Sequence, residues 1–246
     1  MAFAYASRAS KGARSYQEDT AEVQAEGAAA LTAVLADGMG GHAGGALASG
    51  LACQIFLHAY AASAGSVPER LDAALDLANA AIAECVVERP ALSGMGCTLV
   101  GAAFGSAGVD WVSVGDSPLF LVRAGKLEVL NEDHSLAPQL DRLAQAGEIS
   151  WEADRSDPRR HYLRAALTGT EIDMVDRSRR ELEPGDLVIL ASDGIHTLSQ
   201  ADILRVVAGA APGGPEAVAD AVLAAVEAAG DTFQDNTTVV VVEIKA

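Results

Sequence analysis

Aromatic residues are scarce: Phe, Trp and Tyr make up only 4% of a 246-residue chain that is 50% hydrophobic. A sizeable core must therefore be built from Ala, Val, Leu and Ile. Cysteine is scarcer still. Cys53, Cys85 and Cys97 are odd in number and never stand in a C-x-x-C arrangement. That argues against a disulfide framework and a structural zinc site, and it fits a reducing compartment. Basic residues are also short, 17 Lys and Arg against 34 Asp and Glu, for a formal charge of −17. Such a surface repels nucleic acid and anionic lipid, so neither is expected as a partner. The opening "MAFAYASRASKGARSY" has scattered basic residues with no apolar run behind them, unlike a secretory signal. No uninterrupted apolar run approaches the roughly 20 residues that cross a bilayer. A soluble cytoplasmic protein is the expectation.

Short apolar runs ending in turn signals are plentiful. "LTAVLADG", "GCTLVGAAFG", "GVDWVSVGD", "SPLFLVRAGKLEVL", "DLVILASDG" and "NTTVVVVEIK" read as strands. The connections "GSAG", "DSP" and "AGK" are too short for parallel crossovers, so antiparallel pairing is expected. Between these groups lie helical stripes: Leu71, Leu75, Ala78, Ile82 and Val86, then Leu47, Leu51 and Ile55, then Val218, Val222 and Val226. Strand runs separated by helix pairs imply an α+β layered domain, taken as one unit over residues 1–246. The charged stretch from about 139 to 164 reads as a helix and a polar excursion, either a flap over a site or a plain surface connection.

The glycine-rich stretch "VLADGMGGHAGGALASG", Val34 to Gly50, poses the functional question. A phosphate-binding Walker loop needs a Lys after the glycines, and none follows. Gly38, Gly40 and Ala43 satisfy G-x-G-x-x-A, but Asp37 would face the pyrophosphate and no acid stands about 20 residues downstream. A plain Asp-Gly turn remains open for any one copy. Yet "LADG" and "LASDG" each release an aspartate, Asp37 and Asp193, at a strand tip before an apparent helix. Asp116 in "SVGDS" and Asp235 in "QDNTT" add further acids at predicted strand ends, and "RSYQED" near the N-terminus brings Glu18 and Asp19. Acids crowded together need compensating cations to stay ionised. Oxygen ligands without Cys select magnesium or manganese over zinc.

In this combination "RSYQED", "LADGMGGHAGG", "GCTLVGA", "VSVGDS", "EDHS", "LASDG" and "DNTTVVVV" resemble the PPM-type metal-dependent serine/threonine phosphatases, the protein phosphatase 2C family, in its bacterial form. The resemblance implies an α-β-β-α sandwich: two antiparallel sheets flanked by helix pairs. It implies two core Mn2+ or Mg2+ ions, with Asp37 bridging them. Gly38, through its carbonyl, and Glu18 would serve one ion; Asp193 and Asp235 would complete the other. Asp116, with Asp193, matches the acid of a third, looser ion. Arg14, four residues before Glu18, matches the arginine that grips the substrate phosphate.

There are departures from the family pattern. Met39 stands where many eukaryotic members have a histidine proposed as general acid, which leaves His42 as the candidate proton donor, with a loop-stabilising role as its alternative. Pro118 replaces an arginine that often follows "GDS". His134 is expected to help cap the following helix, and His58, His161 and His196 to be structural or surface residues. The expected activity is hydrolysis of phosphoserine and phosphothreonine on proteins, opposing Ser/Thr kinases. A narrow-specificity regulatory phosphatase of a partner-switching system and a non-catalytic pseudophosphatase are the alternatives.

Overall fold

The structure, a computed structural model, describes residues 1–246 other than Ala28 and His42, together with all side chains but those of Ala43 and Ser156. Two five-stranded sheets form its centre. The first runs β1 (Ala2–Ser10), β12 (Thr237–Lys245), β11 (Leu187–Ala191), β8 (Leu119–Arg123), β9 (Lys126–Val129). The second runs β10 (Asp176–Arg180), β7 (Gly108–Val114), β6 (Leu99–Gly105), β3 (Leu31–Ala36), β2 (Thr20–Ala25). A two-residue ribbon joins β4 (Gly38–Met39) to β5 (Gly96–Cys97). Every pairing between these strands is antiparallel.

Strand alternation divides the core into three layers. Leu31, Ala33 and Leu35 of β3 meet Val240, Val242 and Ile244 of β12 between the sheets. Val34 and Ala36, pointing the other way, pack under α1 (Ala43–Ala62) and α2 (Val67–Glu88). On the opposite side Val239 and Val241 pack under α5 (Gln200–Ala210) and α6 (Gly214–Ala228). All six residues of β3 are buried, which is why it reads as an unbroken apolar run rather than an alternating one. The α-β-β-α sandwich implied by the resemblance is the observed architecture.

Several expectations need correction. The connection "DSP" does not join paired strands: β7 ends in the second sheet and β8 begins in the first. Gly115, at φ +105°, turns the chain across the sandwich, so Asp116 sits where the two sheets meet. Strands β1, β2 and β10 went unread, because Ala- and Ser-rich or fully polar edge strands carry little hydrophobic signal. The stripe Leu47, Leu51 and Ile55 is half-buried; Ala48, Ala52 and Phe56 form the deeper face of α1. The window Gly44–Ala62 of that helix also has the length and mean hydropathy, 1.2, of a membrane span, but half of it is buried within the fold.

Small side chains set the approach of α1 to the second sheet. A Cβ on Gly101 of β6 would lie 2.1 Å from the Phe56 ring, so glycine is what lets that ring lie on the strand. Gly101→Ala is expected to overpack the site and cost about 1–3 kcal/mol. Chemical denaturation of the variant beside the wild type checks this; equal midpoints would show that Phe56 moves freely.

Candidate active site

The acids named from the sequence come from separate strand ends on one side of the sandwich. Asp37 follows β3, Asp193 follows β11, Asp235 precedes β12, and Glu18 and Asp19 precede β2. Strands β2 and β3 pair Thr20 with Ala36, which sets Asp19 and Asp37 side by side. Arg14, Glu18, Asp37, Asp116, Asp193 and Asp235 all line one cleft of about 820 Å³. Gly38 lines it too. His42 lies outside the described residues.

The glycines after the two aspartates are not hairpin turns. Neither Gly38 nor Gly194 has a positive φ; each sits where a side chain cannot fit. A Cβ on Gly38 would meet the Gly45 carbonyl oxygen at 2.3 Å, and one on Gly194 would meet the Asn236 carbonyl oxygen at 2.1 Å. Gly45 in turn faces Oε1 of Glu18, 2.5 Å from where its own Cβ would be. The opening glycine loop is therefore a cradle for Glu18 and the backbone beside Asp37.

Burial and like charge together push these carboxyls above their usual range. The Asp37 carboxyl is raised well above the usual carboxylate range, by burial first and then by the charge of Asp193. Asp193 is raised by burial first and then by the charge of Asp235. Burial, with Asp193 and Asp133, pushes Asp116 up to about 7; burial pushes Asp19 up to about 6 against a hydrogen bond from Ser192. Asp235 forms an ion pair with the Arg14 guanidinium. To grip a phosphate, that guanidinium must share or exchange this partner. Among the described residues the acids do not close into a ready cage of three His, Cys, Asp or Glu side chains.

A divalent metal nevertheless fits. Oε1 of Glu18 and Oδ1 of Asp19 are buried with no hydrogen-bond partner, an arrangement costly enough to need a ligand. The donor set is entirely oxygen, the chemistry of Mg2+ and Mn2+.

Neutral polar residues brace the acids. Asn236, 4% exposed, accepts from the Glu18 N–H at 2.8 Å and donates to the carbonyls of Lys11 and Tyr16, so it pins the loop carrying Arg14. The Thr98 hydroxyl accepts from the Asp37 N–H at 3.0 Å and bonds Ser117, beside Asp116, at 2.7 Å. The Ser192 hydroxyl donates to Asp19 at 2.7 Å. Sequence reasoning missed these residues, although Asn236, Ser117 and Ser192 each adjoin a named acid.

The histidines also differ from expectation. His134 does not cap a helix: it is buried and its Nδ1 accepts from the Gly115 N–H at 3.3 Å, steadying the turn that carries Asp116. His161 lines the cleft, and His196 and His161 both lie in the field of Asp193. Residues Asp193–Thr197 form a 3-10 turn, in which side chains three apart eclipse, so His196 stands over Asp193. His58 is a surface residue, as expected.

Residues 7–208 match the family model described as Protein phosphatase 2C, and the chain belongs to that family. It is 36% identical over 193 residues to the serine/threonine protein phosphatase PstP of Mycobacterium tuberculosis, covering 78% of this chain and 36% of the relative. The chain thus spans about a third of that relative's length. It superposes on the crystal structure of the M. tuberculosis serine/threonine phosphatase PstP/Ppp with a TM-score of 0.85 at 33% identity, over 100% of both chains. The structure of the PstP catalytic domain in complex with two manganese ions aligns at a TM-score of 0.79 and 33% identity, over 100% of this chain and 99% of the other. Asp235 lies beyond the matched residues, so its place beside the other acids rests on the fold.

Acids whose folded pKa is raised favour the folded state while protonated. Between about pH 4 and 7 the chelated folded protein carries the Asp116 proton that the unfolded chain has lost, so this group erodes stability as pH rises. Asp116→Asn removes that titration. The variant is expected to gain stability relative to wild type from about pH 4 to 7 and to hold the gain above it. Denaturant melts in chelator across this range check the sign; a difference independent of pH would contradict it.

Proposed function

We propose that this chain is a metal-dependent protein serine/threonine phosphatase that removes phosphate from phosphoserine and phosphothreonine. The observation that carries the reading is the convergence of acids from five separate strand ends on one cleft beside Arg14, with a buried carboxylate oxygen of Glu18 left without a hydrogen-bond partner. Membership of the family supports it, as does the manganese in the PstP catalytic domain.

Asp37, Asp193 and Asp235 would hold one of two Mn2+ or Mg2+ ions. Asp37, the Gly38 carbonyl and Glu18 would hold the other, and Asp116 with Asp193 a third, looser one. When bound, such ions supply Lewis acidity and lower the pKa of a water near them toward neutrality. The chain's own residues do the rest. Asp37 and Asp193 would offer their carboxylate oxygens to the cations. Arg14 presents a planar fork to two phosphoryl oxygens, the geometry in which arginine binds phosphate best. Asn236 keeps Arg14 and Glu18 in register, and Thr98 and Ser117 fix Asp37 relative to Asp116. His42 remains the proposed donor to the leaving alkoxide. No cysteine or serine nucleophile is required.

Residues 1–246 act in this reading as one phosphatase domain, with about 139–164 as its flap. Arg160 supports that role by bonding Asp141 of α3 (Ala137–Gln145) at 2.8 Å and also Asp154 of α4 (Trp151–Ser156), while residues 161–164 line the cleft. The substrates would be cytoplasmic phosphoproteins, a Ser/Thr kinase and its targets among them.

Manganese-dependent turnover of an aryl phosphate tests the core of the reading, and chelation is expected to abolish it. Asp37→Asn or Asp193→Asn should reduce kcat by at least about a thousandfold and weaken manganese binding in calorimetry, with the fold intact by circular dichroism. Near-normal turnover in either variant would refute the mechanism. Arg14→Ala should act mainly on KM, raising it about tenfold or more; unchanged kinetics would remove Arg14 from phosphate binding.

A further inference from the structure

Beside the 820 Å³ cleft lies a second hollow of about 730 Å³, and Arg14, Asp116, His161, Asp193 and Asp235 belong to the walls of both. The acid cluster thus sits between two lobes, with space on each side of the position where a phosphoryl group would react. A phosphorylated side chain entering there would have its main chain continue into both.

Each lobe has a strongly exposed aromatic: Tyr162, 61% exposed, in the first and Phe233 in the second. Phe233 is 86% exposed, in a chain whose few aromatics are otherwise mostly structural. Its backbone is held firmly. The Phe233 N–H donates to Asp231 Oδ1 at 2.8 Å, and the next residue, Gln234, is buried and donates through Nε2 to the Gly194 carbonyl at 3.0 Å. The Gln234 Oε1 accepts from the Thr197 hydroxyl at 2.6 Å. A large apolar side chain left in water on a braced loop, two residues from Asp235, is placed to be covered by something that enters the cleft. Asp133 and Asp231 share this lobe with no Lys or Arg partner among the described residues. Its Arg160 is committed to Asp141 and Asp154. Phe233 therefore offers an apolar contact at the edge of a polar lobe, whose Asp133 and Asp231 disfavour an acidic side chain beside it.

We infer that Phe233 is a specificity-determining residue that docks an apolar side chain flanking the phosphorylated residue of a polypeptide substrate, on the side that enters the second lobe. This rests on the phosphatase reading above. The occupant is a segment of the substrate, because the lobe is continuous with the cleft that takes the phosphate. Binding energy gained away from the reacting atoms, by a contact kept in both ground and transition states, appears chiefly in KM.

The test uses phosphothreonine peptides identical but for Leu, Gly or Glu at the position before or after the phosphoresidue. Aryl phosphate turnover by each enzyme serves as the reference. Wild type is expected to prefer Leu to Gly by about tenfold in kcat/KM on the flank that enters the second lobe, and to rank Glu lowest there. Phe233→Ala should abolish the Leu preference through KM, and Phe233→Leu should restore most of it, separating lost apolar contact from lost fold. Equal use of the three peptides on both flanks, or a Leu preference that survives Phe233→Ala, overturns the inference while leaving the phosphatase reading standing. No manganese-dependent aryl phosphate turnover by the wild type overturns both.

Discussion

Mutual repulsion among carboxylates is the constraint on which the rest of the structure depends. Burial raises the cost of ionising Asp19, Asp37, Asp116 and Asp193 at the end of the sandwich, and the charge of neighbouring acids adds to it. A fold pays such a penalty only where another binding partner offsets it. Burial and neighbouring charge together raise all four above the usual carboxylate range. The arrangement is thus a store of unfavourable electrostatics that divalent ions can discharge.

Holding such a cluster open requires rigidity from groups that carry no charge. Antiparallel strands deliver the acids from their ends, and the hydrophobic layers above and below the sheets fix the strands. Asn236, Thr98, Ser117, Ser192 and His134 then tie each acid-bearing turn to its neighbour. Glycine supplies the final closeness. At Gly38 and Gly194 backbone meets backbone where any Cβ would collide, so the Asp-Gly pairs serve packing around the site rather than chain reversal.

Much of this was legible in the residues, and the failures have physical causes. Strands β3, β6, β11 and β12 announce themselves because they are buried on both faces and so read as unbroken apolar runs. Edge strands β1, β2 and β10 do not, since exposure on one side removes the pattern. The short "DSP" connection looks like a hairpin by length, yet it carries the chain from one sheet to the other. Length limits what a loop can span and leaves open which way it turns. His161 and His196 looked isolated because their neighbours are distant in the chain or related by a 3-10 turn that the sequence does not reveal.

By itself, the sequence determined the layered α+β class, the acids at the strand tips and the family, because strand burial and short motifs are local properties. Only the tertiary structure decided which acids are raised by a neighbour's charge, that Arg14 lies on Asp235, that Asn236 pins the loop carrying Arg14, and that Phe233 stands uncovered beside the cleft. Charge coupling, partner exchange and exposure depend on distances between residues far apart in the chain, and such distances exist only once both sheets have closed on their shared core.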